Sequence, residues 1–171
     1  MIRELIDSNV TWLRQAYVLV NELDDTTFGT SPSGLVPPRV GGHLRHVLEF
    51  YECFLQGLES GHIDYDRRRH DVTVENSRRV AAARIAALIC SLERATLNAH
   101  CMLAVRMEND EDGVYLQSSI GRELQALSSH TIHHFALIGM TLRLHGFPID
   151  PEFGMSPSTL RYHAATAQKA A

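Results

Sequence analysis

The sequence is poor in cysteine, has one tryptophan and contains no long apolar run. Cys53, Cys90 and Cys101 are too few and too scattered for a disulfide framework or a CxxC metal site. As small apolar groups on helices they suit a reducing compartment, so a cytoplasmic protein is expected. No apolar stretch approaches the ~18–20 residues of a membrane span. The opening residues, MIRELIDSN, carry charges where a secretory signal needs an apolar segment. Basic charge is short as well. The formal net charge is −4, which offers no electrostatic footprint for nucleic acid, and the run Arg67 to Arg69 reads as a solvated turn. Neither a membrane nor a nucleic acid is therefore expected as a partner.

What the chain does have is helical periodicity. Its 171 residues, 44% of them hydrophobic, suffice for one domain with a substantial core. Apolar residues at Ile2, Leu5, Ile6, Leu13, Tyr17 and Val20 predict a first helix from Ile2 to Leu23. Asp24 to Pro38, rich in Pro, Gly and hydroxyl residues, reads as a loop. A second helix is predicted from about Arg39 to Leu58, with Leu44, Val47, Leu48, Tyr51, Phe54, Leu55 and Leu58 as its buried stripe. Gly61 to Asn76 breaks the period and reads as a connection. Thr73 or Asp71 would cap a third helix over about Glu75 to Asn98, with Ala81, Ile85, Leu88, Ile89 and Leu92 facing inward.

The pattern changes between His100 and Ser119. CMLAVRM and GVYLQS flank an acidic tip at Glu108–Gly113, which predicts a small β-hairpin. The tip lacks the register of an EF-hand and reads as a solvated turn. Ser118 or Ser119 would cap a fourth helix running to about His145, stopped by Gly146 and Pro148. In the tail, Phe153 to Tyr162 is expected to pack on the bundle, and the last residues to fray. The expected fold is all-α: an up-and-down four-helix bundle with a small β-hairpin between its third and fourth helices.

The chemistry lies in the histidines. In LSSHTIHHFALIGMTLRLH, His130 and His134 stand four residues apart, about 40° apart around a helix and one turn stacked on the next. Leu127, Ile138 and Thr141 share that face, so both imidazoles should point into a core, while His133 falls just off it. An isolated HxxxH is most simply a pair of core histidines hydrogen-bonded to neighbours. A second cluster, His43-Leu44-Arg45-His46, opens the second helix and tips the reading towards metal, because neutral imidazole is the commonest nitrogen ligand. Periodicity does not choose between His43 and His46. Glu49, one turn beyond His46, is either an outer-shell acceptor or a solvated residue. Three imidazoles would leave coordination positions open and let the ion lower the pKa of a bound water or thiol.

With HLRH on the second helix and HTIHHF on the fourth, the chain resembles the DinB-like superfamily over nearly its whole length. That superfamily comprises metal-binding four-helix bundles, among them bacillithiol transferases and mycothiol-dependent maleylpyruvate isomerases. The Tyr65-Asp66-Arg67 and Ser158–Tyr162 segments look like those of a bacterial subgroup. The resemblance implies that His46, which ends HLRH, joins His130 and His134 as ligands of a divalent zinc, nickel or iron ion. It implies a metal-dependent hydrolase or thiol-dependent transferase acting on a small molecule, with a low-molecular-weight thiol as substrate, and a homodimer. No thiol-binding signature or acid-base residue stands out. Arg45, Tyr65, Arg67, Tyr115 and Arg122 are the candidates for holding an anionic substrate at the open side of the metal. The competing expectation is a non-catalytic bundle that dimerises or binds a partner and keeps its histidines as core polar groups.

Overall fold

The computed structural model describes residues 1–30, 39–107 and 113–170. Four long helices dominate it: α1 (Ile2–Glu22), α3 (Val40–Ser60), α5 (Arg78–Arg94) and α6 (Ile120–Leu144). Helices α1 and α3 each pack against both α5 and α6, so the four surround one cluster of buried apolar side chains. The inward stripes are those the spacing predicts, with Leu13, Leu44, Phe54, Ile85, Leu124 and Ile138 fully buried. Tyr17 departs from its stripe and is exposed, while Val10, Ala16 and Leu19 supply the inward face of α1 instead.

The connections hold more structure than their composition suggests. Within the expected loop Asp24–Pro38, Asp25–Phe28 forms the short helix α2, capped by Asp24, whose carboxylate accepts from the Thr27 amide at 2.6 Å. Residues 31–38 of that loop lie outside the described residues. The expected third helix is divided. Asp71 caps a separate short helix, α4 (Val72–Asn76), and Ser77, in extended conformation, then caps α5 through its hydroxyl. Helix α5 ends at Arg94 because Ala95 is extended. Gly41 permits the resulting packing: a Cβ there would lie 2.1 Å from the Glu75 carbonyl oxygen, so α4 closes directly on the start of α3.

The hairpin is present, as β2 (Met102–Arg106) paired antiparallel with β3 (Leu116–Ser119). Its tip, residues 108–112, lies outside the described residues. The all-α expectation needs one correction. His62–Asp64 forms β1, which pairs parallel with β2 and makes a three-stranded sheet ordered β1-β2-β3. Three residues are too few to show an alternating pattern, so in sequence this strand looks like the connection around it. Strand β3 runs straight into α6, whose cap is Ser119, with its hydroxyl accepting from the Arg122 amide. Tyr65–Arg67 forms a 3-10 turn after β1. The tail is mixed. Phe153 stacks on Phe135 at 5.0 Å, but Tyr162, on helix α7 (Pro157–Ala170), is 68% exposed and does not pack on the bundle.

One buried polar network fixes how the helices sit on one another. Asn9 on α1, fully buried, donates to the Leu124 carbonyl of α6 at 3.0 Å and accepts from the Tyr51 hydroxyl of α3 at 2.7 Å. The same hydroxyl lies 3.1 Å from the Thr131 hydroxyl of α6. Replacing Tyr51 by Phe keeps the ring but leaves the Asn9 oxygen unpaired in the core. Urea denaturation of Tyr51→Phe should show a loss of about 1–3 kcal/mol.

Candidate metal centre

The network sets the register of α3 against α6, and that register brings two histidine pairs face to face. Thr131 is next to His130 in sequence, and Tyr51 follows His46 by little more than a turn. His46 Nε2 lies 3.1 Å from His130 Nε2, and His43 Nδ1 lies 2.9 Å from His134 Nδ1. One nitrogen each from His46, His130 and His134 falls within a span of 4.8 Å. The rings of His130 and His134 meet edge to face at 4.5 Å, and that of His46 lies 4.7 Å from His134. His133 is exposed, as its place off the stripe implies.

The structure separates the roles of the two histidines in HLRH. His46 joins the three-nitrogen cluster, whereas His43 is buried behind it and bonded to His134. Glu49 is neither solvated nor an acceptor for His46. It is buried, accepts from Arg45 at 2.9 Å and from the Asp71 amide at 2.8 Å, and so ties the connection to α3.

All four imidazoles of the cluster are held neutral. Burial pushes His46 down to about 4, helped by the nearby His130, Arg68 and Arg45. Burial also lowers His130 to about 4, with His133 and Arg68 adding to it. His134 falls furthest, to about 3, through burial and the surrounding imidazoles of His130, His46, His43 and His133. His43 is lowered by burial and by His133. Neutral imidazoles keep the lone pairs that metal coordination needs. His130 Nδ1 is buried and has no hydrogen-bond partner among the described residues.

A cleft of about 460 Å³ opens beside His130. Phe50, Tyr65, Val105, Leu116 and Leu127 give it apolar walls, and Arg122 and Glu123 give it charge. Phe50, one turn after His46, lies 4.1 Å from the His130 ring and stacks on Tyr65 at 4.9 Å. Glu123 is buried and accepts from the Tyr65 hydroxyl at 2.9 Å and the Ser118 hydroxyl at 2.5 Å. Burial, with the charge of Glu123 and that bond, holds the Tyr65 phenol protonated, well above its ordinary value.

The five residues expected at the open side separate clearly. Arg45 is spent on Glu49 and Glu75. Arg67 is 85% exposed and pairs with Asp64, to which the Tyr115 hydroxyl also donates. Tyr65 and Arg122 do line the cleft. Sequence reasoning missed Phe50, Glu123 and Arg68. Phe50 lies four residues after His46, and Glu123 lies seven before His130, so helical spacing could have found both. Arg68, inside a run of three arginines, gives no such signal.

No family model matches the chain, and no solved structure matches it. A segment of 104 residues, 58% of the chain, is 33% identical to FK506-binding protein 5 of Rhizopus delemar. The match covers 27% of that protein, so the chain spans about a quarter of its relative's length. No helix among the described residues is long and apolar enough to cross a membrane.

The depressed imidazoles set a pH dependence. In the unfolded chain these groups bind protons below their ordinary value of 6.5, whereas in the folded chain His46 and His130 do so only near 4. The unfolded state therefore takes up more protons across that window, and stability falls as pH drops from about 6.5 towards 4. With a chelator present, thermal midpoints should decline over this range. A His46→Gln, His130→Gln variant should show a flatter profile.

Proposed function

We propose that the chain is a DinB-like metal-dependent enzyme, a hydrolase or thiol-dependent transferase, whose His46, His130 and His134 hold one divalent ion. The observation that carries this reading is the convergence of three neutral imidazole nitrogens within 4.8 Å. The spacing fits an ion. Two nitrogens each about 2.0–2.1 Å from a tetrahedral centre lie roughly 3.3 Å apart, and those of His46 and His130 are 3.1 Å apart. Four surrounding helices with a hairpin leading into the last support the DinB-like up-and-down bundle.

The residues have distinct parts in this reading. His46 and His130 present Nε2 to each other, and His134, its Nδ1 engaged by His43, is left with Nε2 for the ion. His43 is then the partner that fixes the His134 tautomer. A divalent zinc, nickel or iron ion held there supplies a lowered pKa to a bound water or thiol. Three protein ligands leave room for a small-molecule substrate, which reaches His130 through the cleft. FK506 binding belongs to the name of a relative of which this chain covers 27%, and nothing in the cleft argues for it here.

Elemental analysis tests the reading. The purified protein should carry about one equivalent of zinc, nickel or iron, and a His130→Ala, His134→Ala variant should carry none. If neither protein holds or takes up a divalent metal, the histidines are core polar groups and the proposal fails. His43→Ala should still bind the ion, but roughly 10–100-fold more weakly in competition with a chelator.

A further inference from the structure

The cleft stops short of two of the three histidines. His130 stands in its lining, whereas His46 and His134 do not. Phe50 is in that lining as well, and its ring also touches the cluster. The ring centre lies 4.1 Å from that of His130 and 4.9 Å from that of His46. One aromatic side chain therefore stands between the open space and the His46 side of the centre. Phe50 follows His46 by four residues, so α3 presents both on one face. The ring is closely held. Tyr65 stacks on it at 4.9 Å and 19° from parallel, and the Arg68 guanidinium lies 4.8 Å from its centre. Tyr65 is itself tied through its hydroxyl to Glu123, which also accepts from Ser118. Phe50, Tyr65 and Glu123 are all buried. A ring packed this way has little room to swing aside, because its neighbours are themselves packed and bonded.

We propose that Phe50 sets the shape of what reaches the three-histidine centre from the cleft. A slim, unbranched donor group passes beside the ring, and a group branched next to its donor atom does not. The inference rests on reading His46, His130 and His134 as a metal site and the cleft as its approach. Steric limits of this kind discriminate well: close-packed surroundings yield little to added bulk, and one methylene in an apolar pocket is worth roughly 10–200-fold. Val105, Leu116 and Leu127, which share the lining with Phe50, are left to hold the rest of the ligand. The ligand class is a small apolar molecule whose donor atom ends an unbranched chain, as in a primary thiol.

Cobalt-loaded protein tests the proposal, with the cobalt content measured in every sample. The probes are the isomers 1-butanethiol and 2-methyl-2-propanethiol, which share one composition and one donor atom and differ in branching beside the sulfur. Their binding is read from the sulfur-to-cobalt charge-transfer absorption. The unbranched thiol should bind the wild type at least about tenfold more tightly than its isomer. Phe50→Ala should bring the two within about threefold by admitting the branched thiol, and Phe50→Leu, which keeps more of the core filled, should fall between. Equal binding in the wild type, or a preference unchanged in both variants, would overturn the proposal. Loss of cobalt from both variants would overturn it too, since Phe50 would then prop the ligand rings rather than limit access. The cobalt content keeps the two readings apart. A wild type that takes up no cobalt sinks the metal site and this inference with it, whereas cobalt bound without a thiol preference sinks only the role of Phe50.

Discussion

The structure depends on the register of α3 against α6, and that register is set by hydrogen bonds inside the core. Asn9, Tyr51 and the backbone of Leu124 link α1, α3 and α6 at one level of the bundle. Apolar packing alone tolerates a slip of one helix along another, because it is non-directional. A buried hydroxyl and a buried amide do not, since each would lose its partner and remain out of water. Fixing that level fixes the histidines, as His130 adjoins Thr131 and His46 lies just over a turn from Tyr51.

The four imidazoles then form two layers. His46 and His130 meet across the helix interface on the cleft side, and His43 meets His134 behind them. Burial and crowding keep all of them uncharged, so each ring keeps one lone pair beside its single N–H. Charge is placed around it instead. Arg45, Glu49, Glu75 and Asp71 bind the connection to α3, while the guanidinium of Arg68 lies against the Phe50 ring.

The long helices were legible because Leu44, Leu48, Tyr51 and Phe54, or Leu124, Leu127 and Ile138, repeat with the helical period and are all buried. His130 and His134 were legible for the same reason. The choice between His43 and His46 was not, because both flank one stripe and only the approach of α6 tells them apart. Strand β1 and helix α4 were hidden by length, since three to five residues carry too little periodicity to read. Arg68 was hidden by its neighbours: Arg67, Arg68 and Arg69 look alike in sequence, and only packing against Phe50 distinguishes the middle one.

The central claim is that the three imidazoles converge on an ion rather than on one another. X-ray diffraction from crystals grown with zinc, measured on both sides of the zinc absorption edge, tests it most directly. The account predicts one strong anomalous peak about 2.0–2.1 Å from a nitrogen each of His46, His130 and His134. A peak elsewhere on the chain, or none while the rings keep their hydrogen bonds to each other, would contradict it.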